Sequence, residues 1–212
     1  MRILFFLLII LFSFSSCTNA QPISTSSLKD EGNSETITTD SIPVYQRLIS
    51  KATELKAYLK GKSSYDQKIA ILIDMRQNSG KNRFFVVDLD SMSILKKGLV
   101  AHGSGSETGF DDSLRFSNTP NSYCTSLGKY KIGNAYVGNF GRSYKLHGLD
   151  PTNSKAFERF VVLHRYSCVP DEEQLFPICN SLGCPMLSEN FFEEVDAVIR
   201  KSGKSVLMEI HY

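Results

Sequence analysis

The stretch from Lys68 to Ala101 is the most restrictive part of this sequence. Three apolar runs follow one another with short polar turns between them. Ile69-Ala70-Ile71-Leu72-Ile73-Asp74-Met75 comes first, then the turn Asn78-Ser79-Gly80-Lys81-Asn82. The run Arg83 to Leu89, the turn Asp90-Ser91 and the run Ile94 to Ala101 follow. Runs this short, rich in β-branched and aromatic residues and bounded by Asn, Gly, Ser and Asp, read as strands joined by tight turns. The pattern predicts an antiparallel meander.

Further strands are expected at Lys129 to Val137, with a bend or bulge at Gly133-Asn134, at Ser143 to Leu149, at Phe160 to Tyr166 and at Ser205 to Tyr212. Between them, Asp150-Pro151-Thr152-Asn153 is suited to cap a short helix through Phe157. Residues 107–128 are polar and turn-rich. Helical spacing appears twice. Val44, Leu48, Ala52, Leu55 and Leu59 recur every three or four residues after Pro43 and before Gly61. Phe191, Phe192, Val195, Val198 and Ile199 do the same between Ser188, a candidate N-cap, and Gly203. The fold class is therefore mainly β (α+β), a mixed or antiparallel sandwich or open barrel with a helix at each end. Residues 43–62 form the first helix and 63–212 the main domain.

The amino terminus reads differently. Met1-Arg2 is followed by a nearly unbroken apolar stretch from Ile3 to Phe14, then Ser15-Ser16-Cys17. That is the plan of a secretory signal, shorter than the ~20 residues a membrane span needs. Cys17 after two small residues resembles a bacterial lipoprotein cleavage site, so residues 1–17 are read as a signal peptide ending in a lipid-anchor cysteine. A plain signal cut after Ala20 is the alternative. Residues 18–42 are rich in Ser, Thr, Asn, Asp and Glu and too poor in apolar side chains to form a core, as expected of a flexible tether. The domain would then sit in the cell envelope, facing the periplasm and held to a membrane. A formal net charge of +2 argues against a nucleic-acid partner.

Export permits disulfides. Apart from Cys17 the cysteines are Cys124, Cys168, Cys179 and Cys184. Cys168 and Cys179 flank one loop and could staple it; Cys124 is an equally legal partner. There is no C-x-x-C pair and no short histidine cluster, so no metal site is expected. The glycine-serine loop at Ala101-His102-Gly103-Ser104-Gly105-Ser106 is followed by neither Gly-Lys-Ser/Thr nor a helix, which excludes a phosphate-cradling loop. His102, at a strand end, suits a structural or rim role.

Chemistry concentrates at Ser181-Leu182-Gly183-Cys184-Pro185-Met186. A thiol follows a glycine on a tight turn, and His164 closes the apolar run Phe160-Val161-Val162-Leu163 upstream. A nearby imidazole can activate a cysteine by lowering its pKa or by taking its proton. Glycine permits a sharp turn with N–H groups aimed at an oxyanion. By themselves the two residues read equally as a catalytic dyad or as a small buried thiol near a strand histidine.

Several ordered motifs shift that balance. Val100-Ala101-His102-Gly103-Ser104-Gly105-Ser106, Phe116-Ser117-Asn118, Thr125-Ser126-Leu127-Gly128-Lys129-Tyr130, Tyr144-Lys145-Leu146-His147-Gly148-Leu149, Val161-Val162-Leu163-His164 and Ser181-Leu182-Gly183-Cys184-Pro185 together resemble the murein L,D-transpeptidase catalytic-domain family. The likeness is to the branch common in lipoproteins of Bacteroidetes-type bacteria and covers roughly Ile69 to Tyr212. It implies a cysteine acyl-transferase on peptidoglycan stem peptides, needing no cofactor and open to carbapenem-type inhibitors. Cys184 would be the nucleophile and His164 the base. The backbone carbonyl of Arg165 would orient the imidazole, and the N–H groups of Gly183 and Cys184 would hold the oxyanion. Arg142, Tyr144, His147 and Ser181 are the expected substrate contacts. The family's usual histidine before Gly-Cys and arginine two residues after the cysteine are Leu182 and Met186 here, and Arg142, His147 or Arg165 could supply the missing cation.

Overall fold

The computed structural model of the protein describes residues 43–109 and 113–212. The expected signal segment with Cys17, the tether 18–42 and the pair Asp111-Asp112 lie outside the described residues. Eight strands and two α-helices build the domain: α1 (Val44–Leu59), β1 (Tyr65–Asp74), β2 (Phe84–Asp88), β3 (Ser93–Gly98), β4 (Gly128–Gly138), β5 (Gly141–Gly148), β6 (Val162–Arg165), β7 (Met186–Leu187), α2 (Glu189–Ser202) and β8 (Ser205–His211). The strand order is β3-β2-β1-β8-β4-β5-β6-β7. The first three form the expected antiparallel meander, whereas β8 runs parallel to β1 and antiparallel to β4.

The continuous apolar run of β1 is explained by cover on both faces. Ala70 and Leu72 face one core with Leu48, Ala52, Leu55 and Leu59 of α1, while Ile71 and Ile73 face the other with Phe191, Phe192, Val195 and Ile199 of α2. Each buried leucine of α1 contributes roughly 2 kcal/mol by apolar burial. Asp74, fully buried at the end of β1, is held by Arg47 of α1 at 2.6 Å. The second helix starts where Ser188 Oγ accepts the Phe191 N–H at 3.1 Å and ends at Gly203 with φ +65°. The expected irregularity in β4 is a register shift between Ile132 and Ala135.

Three expectations are corrected. The third strand ends at Gly98 rather than running to Ala101, because Gly98 lies under the Phe191 ring and the chain turns away to bridge Ala101 to Met186. No helix follows Asp150. Its carboxylate accepts the Lys129 N–H at 2.6 Å, Asn153 Nδ2 donates to Lys129 O, and the segment becomes a series of turns. That segment closes with Phe160 in the left-handed region at φ +57°, so β6 starts at Val162 and not at Phe160. The open disulfide question is settled: Cys168 and Cys179 are joined, with Cα atoms 6.1 Å apart, and Cys124 and Cys184 are free. Among the described residues no helix is long and apolar enough to cross a membrane.

Candidate active site

The Cys184 turn is built by its own backbone and one serine. Ser181, buried, donates its hydroxyl to Cys184 O at 2.6 Å and accepts the Gly183 N–H at 3.1 Å. Gly183 has φ +115°, and an added Cβ would stand 3.0 Å from Cys124 O, so conformation and space both require glycine here. Leu182 is turned outward and exposed.

The turn delivers the sulfur to the start of β6. Val162 N–H points at Cys184 Sγ at 3.4 Å, and Sγ lies 3.7 Å from Phe160 O. In the parallel pairing of β6 with β7, His164 stands opposite Met186. The residue whose N–H meets the sulfur, Val162, is two positions before His164 on β6, so the two share one face of the strand. His164 Nδ1 lies 3.0 Å from Arg165 O. A carbonyl only accepts, so Nδ1 carries the hydrogen and Nε2 holds the basic lone pair. The ring is stacked under Phe140, from the β4–β5 turn, with centroids 4.1 Å apart.

Both groups are biased toward their neutral forms. Burial pushes the Cys184 thiol up, while the Val162 N–H and the Arg159 guanidinium pull the other way. Burial lowers His164, opposed by its bond to Arg165 O. Both shifts favour the uncharged thiol and the uncharged imidazole.

Arg159 is a site residue the sequence did not reveal. Its guanidinium donates to Ser117 O at 2.9 Å, Ser126 Oγ at 2.7 Å and Cys124 O at 2.7 Å. One terminal nitrogen lies 3.4 Å from where a Gly183 Cβ would stand. It places a cation beneath the Cys184 turn. The signal was absent because Arg159 lies in a turn segment without periodicity and reaches the site only through the fold.

The expected substrate contacts take protein partners in the structure. Arg142 donates to Asp196 of α2 at 2.6 Å, and the buried Tyr144 hydroxyl donates to the same carboxylate, so both serve to hold the helix. The ring of His147 stacks on Phe157 with centroids 4.8 Å apart and lines a separate hollow with Lys131, Gly133 and Ser205. The Arg165 side chain pairs with Glu193. Ser181 is spent within the turn, and the Gly183 N–H expected to hold an oxyanion is taken by Ser181 Oγ. Among the described residues no group of three His, Cys, Asp or Glu could hold a metal ion.

The order of these elements and the Gly-Cys turn can be set against known families. The model of the L,D-transpeptidase catalytic domain matches residues 42–208. The chain belongs to this family. Comparison with curated proteins gives no match. Similar solved structures are also L,D-transpeptidases. One from Mycobacterium smegmatis is 12% identical with a TM-score of 0.38, covering 68% of this chain and 59% of its own. One from Stackebrandtia nassauensis is 10% identical with a TM-score of 0.40, covering 80% and 67%. LdtMt1 in complex with imipenem is 11% identical with a TM-score of 0.39, covering 68% and 59%. The match thus spans about three-fifths of the first of these chains, and membership in the L,D-transpeptidase family rests on the sequence model.

Proposed function

We propose that the protein is a cysteine acyl-transferase acting on peptidoglycan stem peptides. The observation that carries this reading is the placement of Cys184 Sγ at the head of β6, against the N–H of Val162 at 3.4 Å, two positions before His164, whose Nδ1–H is fixed on Arg165 O. His164 Nε2 takes the thiol proton as sulfur attacks the amide carbonyl that joins the third stem residue to its terminal D-alanine. The oxyanion is held by the N–H of Cys184 rather than by that of Gly183. The intermediate collapses, the C–N bond breaks, and the imidazolium returns the proton to the departing D-alanine amine. A thioester is left on Cys184. An amine of a neighbouring stem attacks it, giving a cross-link and regenerating the thiol; water in its place gives a shortened stem. Arg159, held against Cys124 O and close to Gly183, supplies a positive charge near the sulfur.

Attachment of the chain to a membrane through Cys17, in the lipoprotein branch of the family, belongs to the same proposal, and palmitate labelling abolished by Cys17→Ala would test it. The activity is tested by intact mass spectrometry with imipenem, which one member of the family is known to bind. The expected result is one adduct on the native chain and none on Cys184→Ala. An unmodified native chain, or equal labelling of both, overturns the reading. Muropeptide analysis then distinguishes transfer, which makes new cross-links, from hydrolysis, which shortens stems.

A further inference from the structure

A second hollow, of about 360 Å3, is bounded by the turn after β1, by His102, Glu107 and Arg83, and by Pro177 of the disulfide loop. It backs onto the Cys184 turn without being part of it. Gly103 faces Gly183, whose Cα would lie 2.8 Å from an added Cβ. In extended backbone the preceding residue, His102, sends its ring to the other side.

Two buried side chains define the hollow's chemistry. Arg83 is 1% exposed; its Nε and Nη2 donate to Val100 O, its Nη1 donates to Gln77 O, and Nη2 lies 2.8 Å from His102 Nδ1. A guanidinium has donors only, so His102 Nδ1 accepts and the hydrogen of this imidazole must be on Nε2. His102 is 4% exposed, and burial together with the Arg83 charge lowers it to about 4, so the ring stays neutral. Its Nε2–H is a buried donor without a hydrogen-bond partner. The carboxylate of Glu107 faces it with Oε1 3.7 Å away, beyond hydrogen-bond distance, and that oxygen accepts from Asn180 Nδ2 at 2.7 Å.

A polarised N–H donor and a carboxylate acceptor side by side form a paired recognition edge. A primary carboxamide presents the complementary pair: its oxygen accepts, and the N–H on the same side donates. A secondary trans amide turns its N–H away from its carbonyl, and a free carboxylate has no donor and meets the charge of Glu107. We infer that this hollow is a binding site for a primary carboxamide, such as an Asn or Gln side chain or an amidated carboxyl group, and that it discriminates against the corresponding acid. The site stands whether or not Cys184 is the nucleophile.

The test uses the native chain with 15N-labelled histidine. Long-range 1H–15N correlation spectra report the His102 tautomer and its response to N-acetylglycinamide or, at matched ionic strength and neutral pH, N-acetylglycine. The expected result is an Nε2–H tautomer whose resonance shifts saturably with the carboxamide, identically in Cys184→Ala. N-acetylglycine should bind at least about tenfold more weakly, the scale of losing a hydrogen bond to a charged group. Glu107→Gln, at a half-exposed position, should remove that preference. An Nδ1–H tautomer, equal binding of the acid, a preference that survives Glu107→Gln, or no saturable shift with the carboxamide, leaving solvent as the occupant, would each overturn the inference. Failure of imipenem to acylate Cys184 bears on the proposed activity and leaves this result unaffected.

Discussion

Cys184 and His164 were visible in the sequence; their protonation was not. A neighbouring histidine on a strand suggested a thiol lowered toward neutrality, but burial dominates both groups and drives each toward its uncharged form. Alkylation of Cys184 by iodoacetamide should therefore rise with pH to a midpoint above the ordinary cysteine value of about 8.5. Replacing Arg159 by Gln removes a nearby positive charge that favours thiolate, so the midpoint should move higher still; an unchanged midpoint would show that Arg159 acts only as a brace for Ser117, Cys124 and Ser126. The partners of Arg142 and Tyr144 were hidden for one reason. Arg142 and Tyr144 are polar residues on a strand next to the family motif, and nothing local to them announces Asp196, which reaches them from α2 across 54 and 52 positions of sequence.

The hairpin of β4 and β5 covers one face of the imidazole. Phe140 at its tip covers His164 on one side and meets the edge of Tyr166 on the other, with ring centroids 5.8 Å apart. Phe140 is itself 39% exposed, so it is held by these two rings rather than by the core. Phe140→Ala should expose His164 and raise its pKa back toward the ordinary imidazole value of about 6.5, read by the 1H shift of the ring against pH. The same change should also lower the thermal midpoint, since more than half of Phe140 is covered and losing that apolar contact costs on the order of 1–3 kcal/mol. Elements with strong local signals were legible: the stripe of α1, the Ser188 cap, the Gly203 stop and the irregularity at Gly133-Asn134. The segment after Asp150 was not, because its capping side chains are diverted to the backbone of Lys129 in β4, a partner no local rule supplies.

At the scale of the molecule, alternation within one strand fixes the architecture. The run Ile69 to Met75 told of a buried strand, and cover by α1 on one face and α2 on the other is the physical reason for it. What the sequence left open was the partner of that strand, since parallel pairing with β8 joins residues about 137 positions apart (Ile71 with Met208). The same interior holds neutral histidines. His102 and His211 are lowered to about 4, and His164 shares their direction. An unfolded chain takes up protons as pH falls through the ordinary histidine value of about 6.5, while the folded chain does not, so the histidine contribution to stability is lost over that interval, and the lowered carboxyls of Asp66, Asp171 and Asp196 carry the loss on below about 4. Glu209, raised by burial, works the opposite way with a single group. The urea midpoint at pH 5 should therefore lie below that at pH 7, with a smaller gap in a His211→Gln chain.

The position of β8 in the strand order has one more consequence. Among the described strands it comes last along the chain, yet it lies between β1 and β4 and pairs with both. A nascent chain that has emerged only as far as Gly203 holds two half-sheets with facing unpaired edges, and neither can borrow the other's hydrogen bonds. The central seam of the sheet thus stays open until the residues of β8 are in place, and the two halves of the molecule can lock together only in that final pairing.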